Sequence, residues 1–414
     1  MRRLLTAAPL LMLLTTVPAC ETTDRALSTM EHVLSSSPGR VAVDIAEGKD
    51  PKRILKERAE AYQRDPEALL RDLRAAQKDF ELIMAALTGN VRQTWGEKEV
   101  KVPEKKKYVK YTQNYMSRAI VDFDDGKIVV ETLDDKAPRE SLKHAVVTTL
   151  LTPDDPRAVD LFSDKAVTLS GDRLPYLLGL VVDQAGKPVR EPAQADAFAE
   201  YLLASKSGQR TVDRNGTAMH ALFVTMSMVT NFSNRQAEKY RPLVTKFADQ
   251  YKISPSLVFA VIRTESNFNP FAVSSAPAYG LMQLVPSSGG REAYRKAKGK
   301  DSIPSRDYLF DPENNVELGT AYLNVLSYTQ LEHIENTVSR EYCVISAYNT
   351  GPRNVYKAFS NDATAAINQI NSLQPPAVYD RLRAHLPYQE TRDYLAKVTT
   401  FRKQFAVPGE ADRH

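Results

Sequence analysis

The pattern of apolar and polar positions is clearest in the middle of the chain, where it predicts a helix that ends on an acid. Ser254 and Pro255 favour a helix start, because a serine side chain can bond a free amide and proline suits the first turn. Apolar residues then recur at helical spacing between positions 257 and 262. Glu265 lies one turn further on, so we expect its carboxylate to continue the buried face.

The predicted position of Glu265 favours a proton donor. Burial disfavours a charged carboxylate, and the negative end of a helix dipole acts in the same direction, so we expect the pKa of Glu265 to be raised. A carboxyl group that is partly protonated near neutral pH suits a general acid. The alternative is a solvated, idle glutamate at a frayed helix end. Positions 266–291 contain no Asp or Glu, so Glu265 stands alone in this segment.

Helical spacing continues from Arg235 to near the end of the chain. Asp311 followed by Pro312 predicts a further helix start, because this pair combines a capping side chain with a residue suited to the first turn. The other predicted helices cover positions 240–251, 342–348, 363–370 and 394–405. We therefore expect this half of the chain to be all-α.

The apolar period changes to two between positions 108 and 133, which predicts β-strands. Val121 and Phe123 alternate with polar neighbours, 124–127 reads as a turn, and Ile128 and Val130 resume the alternation. The sequence therefore predicts a β-hairpin in this region.

The surrounding segments complete the prediction for the amino-terminal half. Helical spacing at 69–73 and 80–87 precedes the hairpin, and the apolar stretches 176–182 and 218–229 are expected to pair with it in a sheet. The result is a predicted α+β domain that reaches to about Asn231.

Composition and charge exclude some classes of protein. The chain has 414 residues, of which 43% are hydrophobic and 26% charged, which is typical of a folded, water-soluble body with room for two domains. The formal net charge is +4, and it falls by two if Arg2 and Arg3 are removed with a signal, so the charge balance gives no case for nucleic acid. The basic run at 291–300 is interpreted as a solvated loop, with contact to acidic peptides as the alternative.

The first residues resemble an export signal. A basic start precedes an apolar stretch at 4–17 that is too short for a permanent membrane span. Ala19 before Cys20 resembles the bacterial lipobox, at which the signal is cut and the cysteine is lipid-modified. A plain secreted protein cut near Ala19 is the alternative. Glu21 is not the aspartate that retains such lipoproteins in the inner membrane, so we expect an outer-membrane anchor, followed by a polar tether over 20–50.

No cofactor or metal is predicted. The six histidines are scattered without paired spacing, and the chain lacks Walker A, GxGxxG and GxSxG patterns. With Cys20 lipidated, Cys343 would have no partner for a disulfide within the chain. Cys343 lies among apolar residues, and we expect it to be part of the core.

Four short runs occur along the chain in the order Glu265-Ser266, Gly280-Leu281-Met282-Gln283, Ala347-Tyr348-Asn349 and Glu390-Thr391-Arg392-Asp393-Tyr394-Leu395. In identity and order they resemble the motifs of the soluble-lytic-transglycosylase family. The segments 114–119, 122–126 and 130–133 are similar to the amino-terminal domain of one membrane-bound branch of that family, so the resemblance covers nearly the whole chain.

The resemblance implies an α+β amino-terminal domain followed by an all-α, goose-type lysozyme-like catalytic domain. The implied divisions are a lipoprotein signal at 1–19, a tether at 20–50, the amino-terminal domain at 51–232, the catalytic domain at 233–405 and a tail at 406–414. The implied substrate is peptidoglycan, with a lipid anchor at Cys20 holding the enzyme to the outer membrane, facing the periplasm.

The implied reaction is non-hydrolytic cleavage of the β-1,4 bond between N-acetylmuramic acid and N-acetylglucosamine, in wall remodelling and turnover. Glu265 would act first as general acid and then as general base, with the acetamido group of the sugar replacing the second carboxylate that a common glycosidase needs. Two alternatives stay open: a hydrolytic muramidase of the same fold, and a wall-binding lipoprotein without activity.

The resemblance also implies a set of substrate contacts. The residues concerned are Ser274, Met282, Gln283, Tyr348, Asn349, Glu390 and Tyr394. Ser274 and Gln283 would hydrogen-bond the muramic acid and its acetamido group, and the Tyr348 hydroxyl would orient Glu265 or the substrate. Met282 would contact a sugar face or, alternatively, fill a gap in the core. Glu390 and Tyr394 would line the groove, with core packing as the alternative for Tyr394.

Overall fold

The computed structural model describes residues 66–169 and 173–406. The predicted signal at 1–19, the lipidation at Cys20, the tether at 20–50 and all but the first residue of the predicted tail at 406–414 lie outside the described residues. Within those described ranges, no helix is both long and apolar enough to cross a membrane.

One antiparallel sheet forms the centre of the amino-terminal part, in the order β1-β2-β3-β5-β4. The strands are β1 (Lys107–Thr112), β2 (Ser117–Asp122), β3 (Lys127–Thr132), β4 (Ser207–Arg214) and β5 (Thr217–Ser227). Val121 pairs with Ile128 across β2 and β3, which confirms the predicted hairpin. The stretch predicted at 218–229 falls mostly in β5, which pairs with β3 as expected.

The apolar stretch 176–182 is not a strand of this sheet, and that prediction is wrong. Gly179 has φ +76°, and amides here bond to carbonyls three residues back, as from Leu178 to Pro175 at 3.0 Å. The segment is therefore a run of tight turns. Tyr176 and Leu177 are nevertheless buried, so their apolar character reflects packing rather than pairing.

Among the described residues, three helices and two short 3-10 turns cover the sheet. The helices are α1 (Pro66–Trp95), α2 (Pro138–Leu151) and α3 (Pro192–Ser205), and the 3-10 turns are Glu97–Glu99 and Pro156–Ala158. Helix α1 includes both stretches predicted at 69–73 and 80–87. Its apolar face buries Leu87, Val91 and Trp95.

A cluster of four charged side chains lies at the sheet beside Trp95; we call it the arginine cluster. Arg118 Nε is 2.8 Å from one oxygen of Glu131, and Arg210 Nε is 2.8 Å from the other. Both guanidinium groups also bond Glu99 at 2.8 Å, and the Arg118 guanidinium lies 3.8 Å from the centre of the Trp95 ring. Buried charges are tolerated when their bonds are satisfied in this way.

The carboxy-terminal part is helical, as predicted. Its helices are α4 (Phe232–Tyr251), α5 (Pro255–Glu265), α6 (Gly289–Lys298), α7 (Arg306–Phe310), α8 (Pro312–Val325), α9 (Thr337–Thr350), α10 (Pro352–Lys357), α11 (Ala363–Ser372), α12 (Pro375–His385) and α13 (Gln389–Phe405), with a π-helical turn at Leu326–Gln330. Asp311 caps α8 by accepting from the Asn314 amide at 3.0 Å. Cys343 is fully buried, in agreement with the core position expected.

The basic run at 291–300 is mostly helical, so the solvated loop expected from its charge is wrong. Positions 289–298 form α6, which buries Tyr294 and is followed by the left-handed Gly299. Gly289 and Gly290 at its start have poor helix propensity, and packing on the rest of the body outweighs that preference. Arg291 is bonded to Asp301 at 2.6 and 2.7 Å, so its charge is satisfied within the protein.

Candidate active site

Glu265 is the last residue of α5 and is only 5% exposed. The eleven residues of the helix are apolar on nearly every side, so α5 is a core element and its final side chain is buried with it. Ser254 occupies the cap position but makes no cap hydrogen bond, and its hydroxyl lies 2.8 Å from that of Ser256. The side-chain cap bond expected from the sequence is therefore not formed, whereas Pro255 occupies the first turn as expected.

The surroundings of Glu265 give its pKa the direction expected of a proton donor. Burial is the main cause and raises the pKa above its ordinary value. Lys105, whose Nζ lies 3.5 Å from Oε2, and the Tyr394 hydroxyl lower the pKa without cancelling the effect of burial, and the charge of Glu390 raises it further. The carboxyl group is thus held closer to neutrality than a solvated glutamate.

The chain turns sharply after Glu265, through two left-handed residues. Asn267 has φ 46° and Phe268 has φ 64°. Phe268 is fully buried and stacks at 6.4 Å between ring centres on Tyr240. Ser266 donates to the Leu281 carbonyl at 2.8 Å, so the first and second sequence motifs are joined directly.

The turn at Gly280 is held by the side chain of Asn315, which lies outside the four sequence motifs. Gly280 has φ +76°, and a Cβ there would lie 2.4 Å from Asn315 Nδ2 and 2.5 Å from the Leu309 carbonyl oxygen. Asn315, from α8, accepts from the Met282 amide at 2.8 Å and donates to the carbonyls of Tyr279 and Leu309 at 2.8 and 2.7 Å. Glycine is therefore required both for the backbone angle and for space.

Helix α9 supports the same turn from the other side. The Tyr348 hydroxyl donates to the Met282 carbonyl at 2.8 Å, which joins the second and third motifs. Met282 itself is fully buried and packs against Gly319, the core position left open as the alternative to a sugar contact. Gln283 donates to the Gly280 carbonyl at 3.0 Å, and its buried Oε1 has no hydrogen-bond partner within the described residues.

The remaining predicted residues lie on three different elements. Thr391 of α13 donates to Asn349 Oδ1 at 2.7 Å, which joins the third and fourth motifs. Tyr394 is buried one turn further along α13. Its hydroxyl interacts with Glu265 but makes no well-formed hydrogen bond within the described residues. The Glu390 side chain is 76% exposed at the start of α13. Ser274 bonds within its own loop, to the Ala276 carbonyl.

The amino-terminal part contacts the acid directly, and no sequence pattern predicts this contact. Lys105 approaches Glu265 from a position 160 residues earlier in the chain. It lines a cavity of about 640 Å³ that also includes Ser274, so this cavity is bounded by both parts of the chain. A contact between residues so far apart leaves no periodic or motif signal in one sequence.

The described residues bring one buried acid together with an exposed one. Glu265 can donate a proton, and its conjugate carboxylate can take one back. Within the part of the chain that the structure describes, no group of three or more His, Cys, Asp or Glu side chains is placed to hold a metal ion.

Two family models match the chain. Residues 64–239 match the amino-terminal domain of membrane-bound lytic murein transglycosylase C. Residues 242–371 match the transglycosylase SLT domain, which places the first three motifs in that domain.

Curated relatives agree over most of the chain. A membrane-bound lytic murein transglycosylase C from Yersinia enterocolitica is 42% identical over 83% of this chain and 93% of its own length. One with the same name from Edwardsiella ictaluri is 41% identical over 79% of this chain and 89% of its own length. This chain therefore belongs to the membrane-bound lytic murein transglycosylase C family, a family of enzymes. The predicted fold class, an α+β domain followed by a helical lysozyme-like domain, is confirmed.

Two solved structures are similar over part of the chain. One is an inactive mutant of the lytic transglycosylase Slt from Pseudomonas aeruginosa, at 27% identity and TM-score 0.33, covering 42% of this chain and 24% of that one. The other is the 70 kDa soluble lytic transglycosylase from Escherichia coli, at 25% identity and TM-score 0.31, covering 39% of this chain and 23% of that one.

Proposed function

We propose that this enzyme cleaves the β-1,4 bond between N-acetylmuramic acid and N-acetylglucosamine in peptidoglycan without water, leaving a 1,6-anhydro-N-acetylmuramic acid end. The observation that carries the proposal is the buried Glu265, whose raised pKa suits a proton donor. Its neighbour Ser266 is hydrogen-bonded to the second family motif, which is in turn bonded to the third. Such an activity serves remodelling and turnover of the cell wall.

In the first half of the reaction Glu265 is an acid. Its carboxyl proton passes to the glycosidic oxygen as the bond from that oxygen to C1 of the muramic acid breaks. The acetamido oxygen of the same sugar bonds to C1 and takes up the positive charge, so no carboxylate nucleophile is needed.

In the second half Glu265 is a base. Its carboxylate removes the proton from the 6-hydroxyl of the muramic acid, O6 bonds to C1, and the bond from C1 to the acetamido oxygen breaks. The carboxyl group is again protonated at the end, and the product carries no added water. One side chain therefore performs both proton transfers.

The substrate contacts are part of the proposal. The unpartnered Oε1 of Gln283 is suited to accept a hydrogen bond from an acetamido N–H. We also propose substrate contacts for Ser274 and Asn349, with Tyr394 orienting the acid and Glu390 lining the open edge of the site. For Tyr348 and Met282 we propose a supporting role, because their side chains are used in holding the Gly280 turn.

A hydrolytic muramidase is the second candidate, because Glu390 brings a further carboxylate close to Lys105 and Glu265. Lys105 Nζ lies 3.5 Å from Glu265 and 3.9 Å from Glu390, so both acids border one site. An inverting hydrolase needs a second carboxylate to activate water. The Glu390 side chain is 76% exposed and so is not held rigidly in place, as a base that positions a water molecule must be, which favours the first candidate.

Digestion of purified sacculi separates the candidates. The sugar products are weighed by mass spectrometry, and we expect anhydro ends, one water lighter than reducing ends. Reducing ends would support the hydrolase, and no release would support a binding protein. A Glu390→Gln variant sharpens the result, because a hydrolase that uses Glu390 as base loses its activity, whereas the transglycosylase keeps producing anhydro ends.

We also propose that Cys20 carries lipid that anchors the mature chain to the outer membrane, facing the periplasm. The proposed divisions of the chain are a signal at 1–19, a tether at 20–50, an amino-terminal domain at 51–232, a catalytic domain at 233–405 and a tail at 406–414. The relatives' names describe them as membrane-bound. Labelling with radioactive palmitate tests the anchor: the wild type should take up label and Cys20→Ala should not.

A further inference from the structure

Lys105 lies in a tight turn that leads into β1. The turn is closed by backbone hydrogen bonds in both directions between Glu104 and Lys107, at 3.0 and 3.4 Å. The Lys106 carbonyl accepts from the Phe123 amide at 2.9 Å, which attaches the turn to the end of the β2–β3 hairpin. The Lys105 backbone is therefore fixed by the sheet of the amino-terminal part.

The loop after Glu265 binds that turn. Asn269 donates to the Lys105 carbonyl at 3.2 Å. Asn267, in its left-handed conformation, donates to the Phe123 carbonyl and to Asp124 Oδ1, the latter at 3.3 Å. Two asparagines that follow the acid within four residues thus fix the two parts of the chain to each other at the active site.

The three consecutive lysines of the turn have different partners. Lys106 pairs with Asp124 at 3.0 Å, and Lys107 lies 3.7 Å from Glu104 and 3.8 Å from Asp122. These pairs lie within the amino-terminal part. Lys105 alone of the three pairs across to the helical part, at 3.5 Å from Glu265.

We propose that the amino-terminal domain completes the active site by placing the Lys105 ammonium group beside the Glu265 carboxylate, so that Lys105 is a positioning residue for the acid. The proposal rests on the proposed function for its kinetic consequences, whereas the charge interaction itself does not depend on any activity.

Lys105 carries a positive charge, unlike the other polar groups around Glu265. Glu390 and Tyr394 approach from α13, Tyr348 lies nearby on α9, and none of these supplies a positive charge. Lys105 is the cation that stabilises the carboxylate left after the first proton transfer and held until the second. A cation within about 4–6 Å favours the ionised form of an acid.

Replacing Lys105 by methionine tests this assignment through the pH dependence of kcat/KM on soluble glycan strands. On the alkaline side, activity is lost as Glu265 of the free enzyme gives up its proton. Without the cation the carboxylate is less favoured, so the alkaline midpoint should move upward by about one pH unit. Lys105→Arg should restore the wild-type midpoint, because the charge is kept.

Lys107→Met is the matched control, because it removes a neighbouring charge from the same turn. It should leave the alkaline midpoint where the wild type has it. A Lys105→Met enzyme with an unmoved midpoint would overturn the proposal, whether its kcat falls, as for a merely structural residue, or its KM rises, as for a residue that only binds sugar. Lys105→Gln serves as a second neutral variant if the methionine variant does not fold.

A titration without substrate separates this inference from the proposed function. Glutamate side chains labelled with carbon-13 at the carboxyl carbon are followed by NMR, and the Glu265 signal is assigned by its loss in Glu265→Gln. We expect the Glu265 midpoint to rise in Lys105→Met and to stay unchanged in Lys107→Met. An unmoved midpoint refutes the role of Lys105 even if anhydro products form, and a raised one supports it even if they do not.

Discussion

Two buried glutamates, one in each part of the chain, lie in opposite surroundings. Glu131 in the sheet is 2% exposed, and each of its oxygens accepts from an arginine at 2.8 Å. Glu265 at the end of α5 is 5% exposed, and the cation that pairs with it in the described part of the chain is the partly exposed Lys105, at 3.5 Å. Burial is thus nearly equal, and the difference lies in how completely each charge is matched.

This difference in charge matching distinguishes an acid that stays ionised from an acid that can exchange a proton in a reaction. Glu99, the other acid of the arginine cluster, has a pKa of about 2, and hydrogen bonds from Arg210 are the main cause. Glu99 therefore stays ionised at any physiological pH. Around Glu265 burial prevails over Lys105, and the pKa is raised. A buried carboxylate with full arginine partners stabilises the fold, and one with a single lysine can exchange a proton.

The largest expected effect comes from removing the chemical acid. Glu265→Gln keeps the shape of the side chain and removes its proton exchange, so turnover of sacculi should fall by about 100- to 10,000-fold for each proton transfer affected. Binding of glycan strands, measured by sedimentation with sacculi, should persist. Appreciable anhydro product from this variant would contradict the assigned role.

The second effect comes from breaking the structural partner. Arg118→Met leaves Glu131 and Glu99 with Arg210 as their remaining arginine, and losing one partner of a buried ion pair costs about 3–5 kcal/mol. Urea unfolding should show this loss in the free energy of unfolding. The control is Lys246→Met, which breaks an exposed pair with Glu313 and should change stability little. Equal effects from both variants would show that the arginine cluster contributes no more than a surface pair.

The smallest expected effect comes from removing the tyrosine hydrogen bond that holds the Gly280 turn, compared with removing a similar bond elsewhere. Tyr348→Phe removes the bond to the Met282 carbonyl, and Tyr356→Phe removes a similar one to Gln330, at 3.1 Å. Each should lower the free energy of unfolding by about 1 kcal/mol. Only Tyr348→Phe should also lower kcat, because its bond holds the turn beside Glu265. A lowered kcat in both variants would indicate a general loss of stability instead.

Local patterns predicted the α+β and all-α parts, the hairpin and the acid itself, but not helices α2 and α3 or strand β4. Helix α5 and the hairpin of β2 and β3 follow from apolar periods and from proline and turn residues, which are local signals. The failures share one cause: at Tyr176 and in α6, packing against distant elements decides the conformation and outweighs local preference.

Only those site residues that lie within the family motifs could be predicted from the sequence. Glu265, Gln283 and Tyr348 lie in the family motifs, so their positions could be carried over. Asn315 and Lys105 were missed, because each acts through a bond to a residue far away in the chain, Lys105 over 160 residues. A single sequence records the side chain but not its partner.

The most direct test of the central claim is a carboxyl titration of the wild-type protein, followed by carbon-13 NMR. Glu265 and Glu99 are compared in one sample, each assigned by its glutamine variant. Glu99 should titrate at about 2 and Glu265 above the ordinary glutamate value of 4.5. A Glu265 midpoint at or below that ordinary value would contradict the account, because a fully ionised side chain has no proton to give to the glycosidic oxygen.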